Sequence, residues 1–515
     1  MGTMPSHEGG IPAAVAAPLA GVVDQEEPAS AGKVGSICRF IWEGHPESSV
    51  EVPPRIRHRL RNGDPFPLVV AIIPAHNEQD QILGSIASLR SQTRPPDEII
   101  VVVNNCTDDT EYIAFAAGVS VVESVSPDGK AGALNDLFDL IMPMLADDDP
   151  LLVMDADTVL TERFVEATVT TLFGPSKKQI AGVGGIFLAD DAPWNLVRQL
   201  QANEYVRYQR RLSRRRGRAL VLTGTGTVFK AGFLREVRQA RRDGRMPDLA
   251  DTGGVYDISA LTEDNELTIC AKEMGYRVVS PKDCTVKTAM MPTLASLYRQ
   301  RLRWQRGALE NLIAHGLNRH TAPYAIRQVL TYLGVLFLPF YLWTLAIALI
   351  VQSSLNFFQP LWVGVAVLYI AEQTFSVRKG GWRAVLVSLA VLPEIFMNVF
   401  LHVVYVISAY GALFATDEQW GRMRHLDPVK FDKRGKPLLD PVPPIGSSPH
   451  GTHPERRNRR GRVLGVGLAV LGILTGVVFV ALPLINLPAA WFVVAGYVLT
   501  GSLATVGRLV PVRTS

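Results

Sequence analysis

The chain has 515 residues, 48% of them hydrophobic, with four cysteines and a formal net charge of +4. That length predicts two or more structural units, and the near-balanced charge argues against a nucleic-acid binder built on a broad basic surface. Cys38, Cys106, Cys270 and Cys284 stand singly, without C-x-x-C pairs or histidines at zinc spacing, so neither a disulfide framework nor a zinc cage is predicted, and buried filler in a reducing compartment is the expected role.

In chain order, residues 1–65 are rich in Pro, Gly, Ala and Glu and predict a flexible N-terminal segment. The apolar stretch 11–23 is broken by Pro18 and has no basic flank, so it is predicted to be neither a signal peptide nor a span. Residues 66–320 alternate short apolar runs with helical patterns, such as strand 69–73, helix 79–90 and strand 99–103, the rhythm of a parallel sheet. Within this zone Asp155 and Asp157 close an apolar strand, Val153-Met154-Asp155-Ala156-Asp157. Two acids one residue apart suit magnesium or manganese, although a D-x-D standing alone reads first as a polar strand end or helix cap. Thr262-Glu263-Asp264 reads as a helix start, with Thr262 as cap and acids in the first turn. Gln300-Arg301-Leu302-Arg303-Trp304 lies in a basic amphipathic stretch that fits anchoring at a membrane surface. Seven arginines between Arg207 and Arg218 predict a solvated face or contact with anionic lipid, and the Gly-rich segment 223–227 a turn or a loop against a ligand.

Beyond residue 320 the pattern changes. Residues 329–351 carry no charge and are long enough to cross the roughly 30 Å of bilayer hydrocarbon. Residues 355–371 are a second candidate span, and 463–507 supply two more that turn near Pro483 and Pro488. The run 384–414 contains Pro393, Glu394 and His402 and suits one crossing at most, so it is predicted as a re-entrant or in-plane helix. The segment 415–462 holds eleven Lys or Arg against six acids, which places it on the cytosolic side. The predicted order is a cytosolic α/β unit at 66–320 with an interfacial helix near 294–316, membrane helices at 321–414, a basic cytosolic loop at 415–462 and a transmembrane hairpin at 463–508.

Taken together, Pro74-Ala75-His76-Asn77-Glu78, Gly129-Lys130, Asp155-Ala156-Asp157, Thr262-Glu263-Asp264 and Gln300 to Trp304, in that order before membrane helices, resemble glycosyltransferase family 2. The resemblance covers residues 68–414 and is to the membrane-bound branch with cellulose, hyaluronan, chitin and poly-N-acetylglucosamine synthases. It implies a GT-A (Rossmann-like) α/β domain followed by a helical transmembrane region, in a multi-pass protein of the cell membrane with its catalytic domain in the cytosol. The implied activity is inverting transfer of a sugar from a nucleotide sugar, with UDP the expected nucleotide, to a growing glycan. A single transfer to a lipid-linked acceptor and a non-catalytic membrane scaffold are the alternatives; the bilayer is a partner and nucleic acid is not. By the same resemblance Pro74, Asn77 and Glu78 meet the nucleotide, Lys130 the diphosphate, and Asp157 with Asp155 hold Mg2+ or Mn2+. Asp264 is implied as the general base beside Glu263, Gln300 and Arg303 as holding the leaving diphosphate, and Trp304 as stacking on the acceptor sugar. Asn104 stands where many relatives carry an acid that reads uracil, and it offers a base edge both a donor and an acceptor; Asp108 is a second candidate there. Trp420, Arg422 and Arg424 resemble a Trp-plus-basic element found after the membrane helices of relatives.

Overall fold

The computed structural model describes residues 38–39, 67–176, 179–190, 192–335 and 360–414. Most of the predicted span 329–351, the basic loop with Trp420, Arg422 and Arg424, and the C-terminal hairpin lie outside the described residues.

The first half of the domain is a run of strand–helix units: β1 (Cys38–Arg39), β2 (Val70–Ala75), α1 (Ile82–Arg90), β3 (Glu98–Asn104), α2 (Thr110–Ala116), β4 (Ser120–Ser124), α3 (Gly129–Ile141) and β5 (Pro150–Val153). Then follow β6 (Val159–Leu160), α4 (Phe164–Leu172), β7 (Ile180–Gly184), β8 (Ile186–Ala189), α5 (Leu196–Arg214), β9 (Thr227–Lys230) and α6 (Ala231–Arg242). The domain closes with α7 (Glu263–Glu273), β10 (Arg277–Val279), β11 (Thr285–Thr288) and α8 (Leu294–His315). The main sheet runs β1-β4-β3-β2-β5-β9-β7-β10, and β6-β11-β8 form a small second sheet.

Both faces of the main sheet are covered, which is why its strands are nearly continuous Val, Ile and Leu. Alternation with period two sends Val70 and Ile72, Ile100 and Val102 to one core, and Ala71 and Ile73, Val101 and Val103 to the other. On the first face α3 contributes Leu134, Leu137, Phe138 and Ile141, all with exposure of 1% or less, at the spacing of an amphipathic helix. The sheet is mixed and not purely parallel: β9 lies antiparallel between β5 and β7. Helix α1 begins at Ile82, three residues later than the pattern predicts, because Gln79 is bonded to the next loop. Its amide donates to Asp108 Oδ2 at 3.2 Å, and its Oε1 accepts from the Asp109 amide at 3.3 Å.

After α8, whose start is locked by a Thr293–Ser296 capping box, come α9 (322–335), α10 (Pro360–Val377), α11 (Gly381–Leu389) and α12 (Leu392–Phe414). The run predicted as one in-plane or re-entrant element is therefore two helices, broken at Val391, which has φ +60°. Among the described residues α12 is the one helix long and apolar enough to cross a membrane, over Leu392–Ala412. Its charge is neutralised inside the fold: Arg207 of α5 donates to Glu394 through Nη1 (2.9 Å) and Nη2 (2.8 Å), and Asn203 Nδ2 adds a third bond at 3.0 Å. Part of the arginine-rich stretch is thus an internal clamp. Arg207 Nε also reaches Ser376 of α10, and Arg210 sits 4.7 Å above the Phe375 ring. Leu200 of α5, Leu297 of α8 and Met397 of α12 form a separate apolar cluster that fastens these helices to the domain.

Candidate active site

Strands β2, β3 and β5 end side by side, and the open carboxyl ends of α/β strands are where ligands bind. Each strand delivers a polar segment there. After β2, Asn77 takes φ +55°, tolerable for Asn, and its Oδ1 accepts from the Thr107 amide at 2.7 Å. The Glu78 amide donates to Thr110 Oγ1 at 2.8 Å. Pro74 itself is buried within the strand. After β5, Asp155 and Asp157 emerge from a turn fastened by Ser85 Oγ, which donates to the carbonyls of Ala156 and Thr158.

Lys130, at the start of α3, connects three elements. Its Nζ lies 2.6 Å from Asp155 Oδ1 and 3.1 Å from Glu263 Oε1 at the first residue of α7. Asp264 follows, with Oδ2 accepting from the Gly224 amide at 2.9 Å and Oδ1 from the Asn265 amide at 2.8 Å. Lys130, Glu263 and Asp264 line one pocket with Leu222, Thr223, Gly224 and Tyr256.

The charges there are strongly biased. Burial and then the neighbouring Asp157, Asp155 and Asp108 push Glu78 up to about 7, and burial with Asp155 pushes Asp157 up to about 6. Burial and then Glu263 raise Asp264 to about 6 against the pull of Lys130 and Arg303. Burial would raise Glu263 as well, but Lys130 and Arg303 outweigh it and hold the carboxyl below its ordinary value. The two acids at the start of α7 are therefore driven apart, one ionised and one poised near neutrality, the pattern of an acid–base site.

Arg303 faces this pair from α8. Its Nε and the Oε1 of Gln300 are buried and have no hydrogen-bond partner among the described residues, a deficit a bound polar group would cancel. Trp304 lies nearly parallel to Phe187, ring centroids 6.4 Å apart, with the Arg301 guanidinium 4.5 Å from its ring. Arg301 in turn pairs with Glu204 at 2.9 Å.

Residues 67–307 match the family model described as Glycosyltransferase like family 2. This region is a glycosyltransferase family 2 domain. It is 27% identical over 264 residues to the probable glycosyltransferase YdaM of Bacillus subtilis, covering 49% of this chain and 57% of that protein. A poly-beta-1,6-N-acetyl-D-glucosamine synthase of Staphylococcus epidermidis is 22% identical over 287 residues, 54% of this chain and 62% of its own. An N-acetylglucosaminyltransferase of Azorhizobium caulinodans is 26% identical over 254 residues, 47% and 59% of the two chains. The chain thus spans about six-tenths of the length of these relatives. Among solved structures, a mannosyltransferase of Pyrobaculum calidifontis in complex with GDP-Man and Mn2+ is 18% identical, covering 70% of this chain and 94% of its own with a TM-score of 0.39. The glucosyl-3-phosphoglycerate synthase of Mycobacterium tuberculosis with Mn2+ and UDP is 20% identical, covering 48% and 78%, TM-score 0.31.

In the family 2 domain, then, the structure brings Glu78, Lys130, Asp155, Asp157, Glu263 and Asp264 together, with Arg303 on the same side. Asn104 is placed differently from a base reader. It is 6% exposed, its amide donates to the carbonyls of Ser126 (3.2 Å) and Gly129 (3.3 Å), and its Oδ1 accepts from Asn105. Tyr256, buried against Phe138, went unnoticed in the sequence because a lone Tyr carries no spacing signal. The Gly224 amide belongs to the Gly-rich segment 223–227, read from the sequence as either a turn or a loop against a ligand, and it bonds Asp264. A second polar cluster of the domain, Glu266, Cys270 and His315, brings possible metal-ligand atoms within 4.8 Å of one another. Its cation is already present in the protein, because Arg241 Nη2 lies 2.6 Å from Glu266 Oε2.

Proposed function

We propose that this chain is an inverting, divalent-metal-dependent glycosyltransferase, held at a membrane, that moves a sugar from a UDP-sugar to a growing glycan. The observation that carries the reading is the Asp264 carboxylate, oriented by the Gly224 amide in one pocket with Lys130 and Glu263. A donor diphosphate needs cations, the incoming acceptor hydroxyl needs a base on the opposite face of the sugar, and both requirements meet there.

The acids fit a metal. Glu78, Asp155 and Asp157 repel one another, and of the three Lys130 is bonded to Asp155; hard carboxylates in excess suit Mg2+ or Mn2+. Asp157 and Asp155 would hold the ion, which supplies charge neutralisation for the departing nucleoside diphosphate. Lys130, Arg303 and Gln300 bind the diphosphate from the protein side, the arginine fork matching phosphate oxygens. Asp264 accepts the proton of the acceptor hydroxyl as that oxygen bonds to the anomeric carbon. The bond from that carbon to the diphosphate oxygen breaks, its electron pair leaves with the nucleotide, and the configuration inverts. Asn77 and Glu78 shape the nucleotide end, Pro74 fixes the strand beneath it, and Asn104 supports it by holding the 126–129 loop. Trp304 offers its aromatic surface to the acceptor sugar.

The membrane part of the reading rests on α10 and α12. Val367, Leu368 and Phe375 on α10, and Leu392, Phe396, Val399, Val403 and Val406 on α12, expose large apolar surface that a bilayer would cover. The 23 residues of α12 extend roughly 34 Å, enough to cross hydrocarbon. With the family 2 domain on the cytosolic face, donor is supplied from the cytosol.

The full chain in lipid nanodiscs, given a panel of UDP- and GDP-sugars starting with UDP-N-acetylglucosamine, is predicted to release nucleotide with Mn2+ or Mg2+ and to stop when EDTA is added. Release that survives EDTA removes the metal, and no release with any donor leaves a scaffold. Product size separates polymer synthesis from a single transfer to a lipid acceptor.

A further inference from the structure

The helix that carries Gln300 to Trp304 continues for three further turns, and one of its faces is devoted to α7. Residues 303, 307, 311 and 315 recur every four positions and so share a stripe. Each meets the catalytic end or flank of α7. Arg303 bears electrostatically on Glu263 and Asp264. Gly307 lies so close to Thr262 that a Cβ there would come within 2.5 Å of Thr262 Oγ1 and 2.8 Å of its Cγ2. Asn311, 3% exposed, donates from Nδ2 to the Thr262 carbonyl at 3.0 Å and to Thr262 Oγ1 at 3.2 Å. His315 bonds Glu266 Oε1 at 3.1 Å and Glu273 Oε2 at 2.8 Å.

Thr262 makes the arrangement informative. As N-cap of α7 its hydroxyl would ordinarily accept from a first-turn amide, yet it makes no such bond. The group that should fasten α7 to itself fastens it to α8, two residues before Asp264. We infer that Asn311, through Thr262, is a positioning residue that sets the Asp264 carboxylate against Arg303 and the Gly224 amide, so that the diphosphate-binding helix and the base move as one body. The inference rests on the proposed role of Asp264 and adds the residue that fixes its place.

Asn311→Ala removes both bonds and frees the start of α7 to shift away from α8. Displacing a reacting group by about 1 Å costs up to roughly a hundredfold in rate, so kcat is expected to fall by about tenfold or more. The Kd for UDP with Mn2+ is expected to stay within about twofold, because the nucleotide is held by the strand ends, Lys130 and α8, and not by α7. Asp264 faces Glu263 on its own helix, Lys130 of α3, Arg303 of α8 and the phenols of Tyr208, Tyr256 and Tyr324. Moving it away from Arg303 raises its proton affinity, so the acid limb of the rate–pH profile moves upward, which loss of folded protein alone cannot cause. Unchanged kcat overturns the inference, as does a loss of kcat matched by a loss of UDP binding. Should Asn311→Ala fail to fold, Thr262→Val, which puts a methyl in place of the hydroxyl and keeps the Asn311 bond to the Thr262 carbonyl, is read by the same two measurements and is expected to lower kcat by less, again with UDP binding retained; an unchanged kcat there overturns the inference. Asp264→Asn run in parallel keeps the hypotheses apart: activity surviving there removes the base, whereas inactivity there with an unaffected Asn311→Ala removes only the positioning.

Discussion

At the scale of single residues, function here is a matter of unequal carboxylates. Glu263 and Asp264 are adjacent in sequence, yet Lys130 bonds the first at 3.1 Å while the second keeps only amide donors. Burial and the neighbouring Glu263 charge therefore fall on Asp264 and raise it to about 6. A base must be unprotonated to act, so falling pH fills Asp264 with a proton and removes turnover. With metal held saturating, kcat/KM is expected to drop below about pH 6, and a profile flat to about pH 5 would contradict the assignment. The sequence reading found both acids because helix starts with T-E-D are short, local patterns. It did not find that Asn104 spends its amide on Ser126 and Gly129, since those partners lie 22 and 25 residues away and no spacing announces them.

At the scale of elements, the join between α7 and α8 is held by charge inside the protein. Burial alone would lower the pKa of His315, but its bonds to Cys270, Glu266 and Glu273 prevail and hold it well above 6.5. A histidine whose folded pKa is raised contributes stability that is fully present below about 6.5 and lost as pH rises through the folded value. His315→Gln should therefore lower the thermal midpoint more at about pH 6 than at about pH 9, and an equal loss at both would show that the imidazole is uncharged. Strands β2 and β3 were legible to within a residue or two, because a doubly covered strand must be apolar throughout. The late start of α1 was not, since the helical pattern runs on through Gln79 while the loop after β3 takes that residue's amide. Nor was the antiparallel β9, whose direction depends on how the chain returns from α5 and not on its own four residues.

At the scale of the whole molecule, separate elements converge: strand ends at residues 75, 104 and 153, the starts of α3 and α7, and the side of α8. Motif order along the chain made that convergence legible, while apolar runs flagged the helices that follow the domain. The run 384–414 was misjudged as one element because hydropathy does not register the break at Val391, nor that Arg207 neutralises Glu394 from a helix almost two hundred residues earlier. What the fold supplies is an anchored α8 whose one side meets α12 through Tyr298 and Phe400 and whose other side meets the base. The most direct test of the account is Asp264→Asn in the full chain in nanodiscs, measuring UDP-sugar turnover and UDP binding with Mn2+ together. The account predicts turnover lost and binding retained; turnover at the wild-type rate would contradict it.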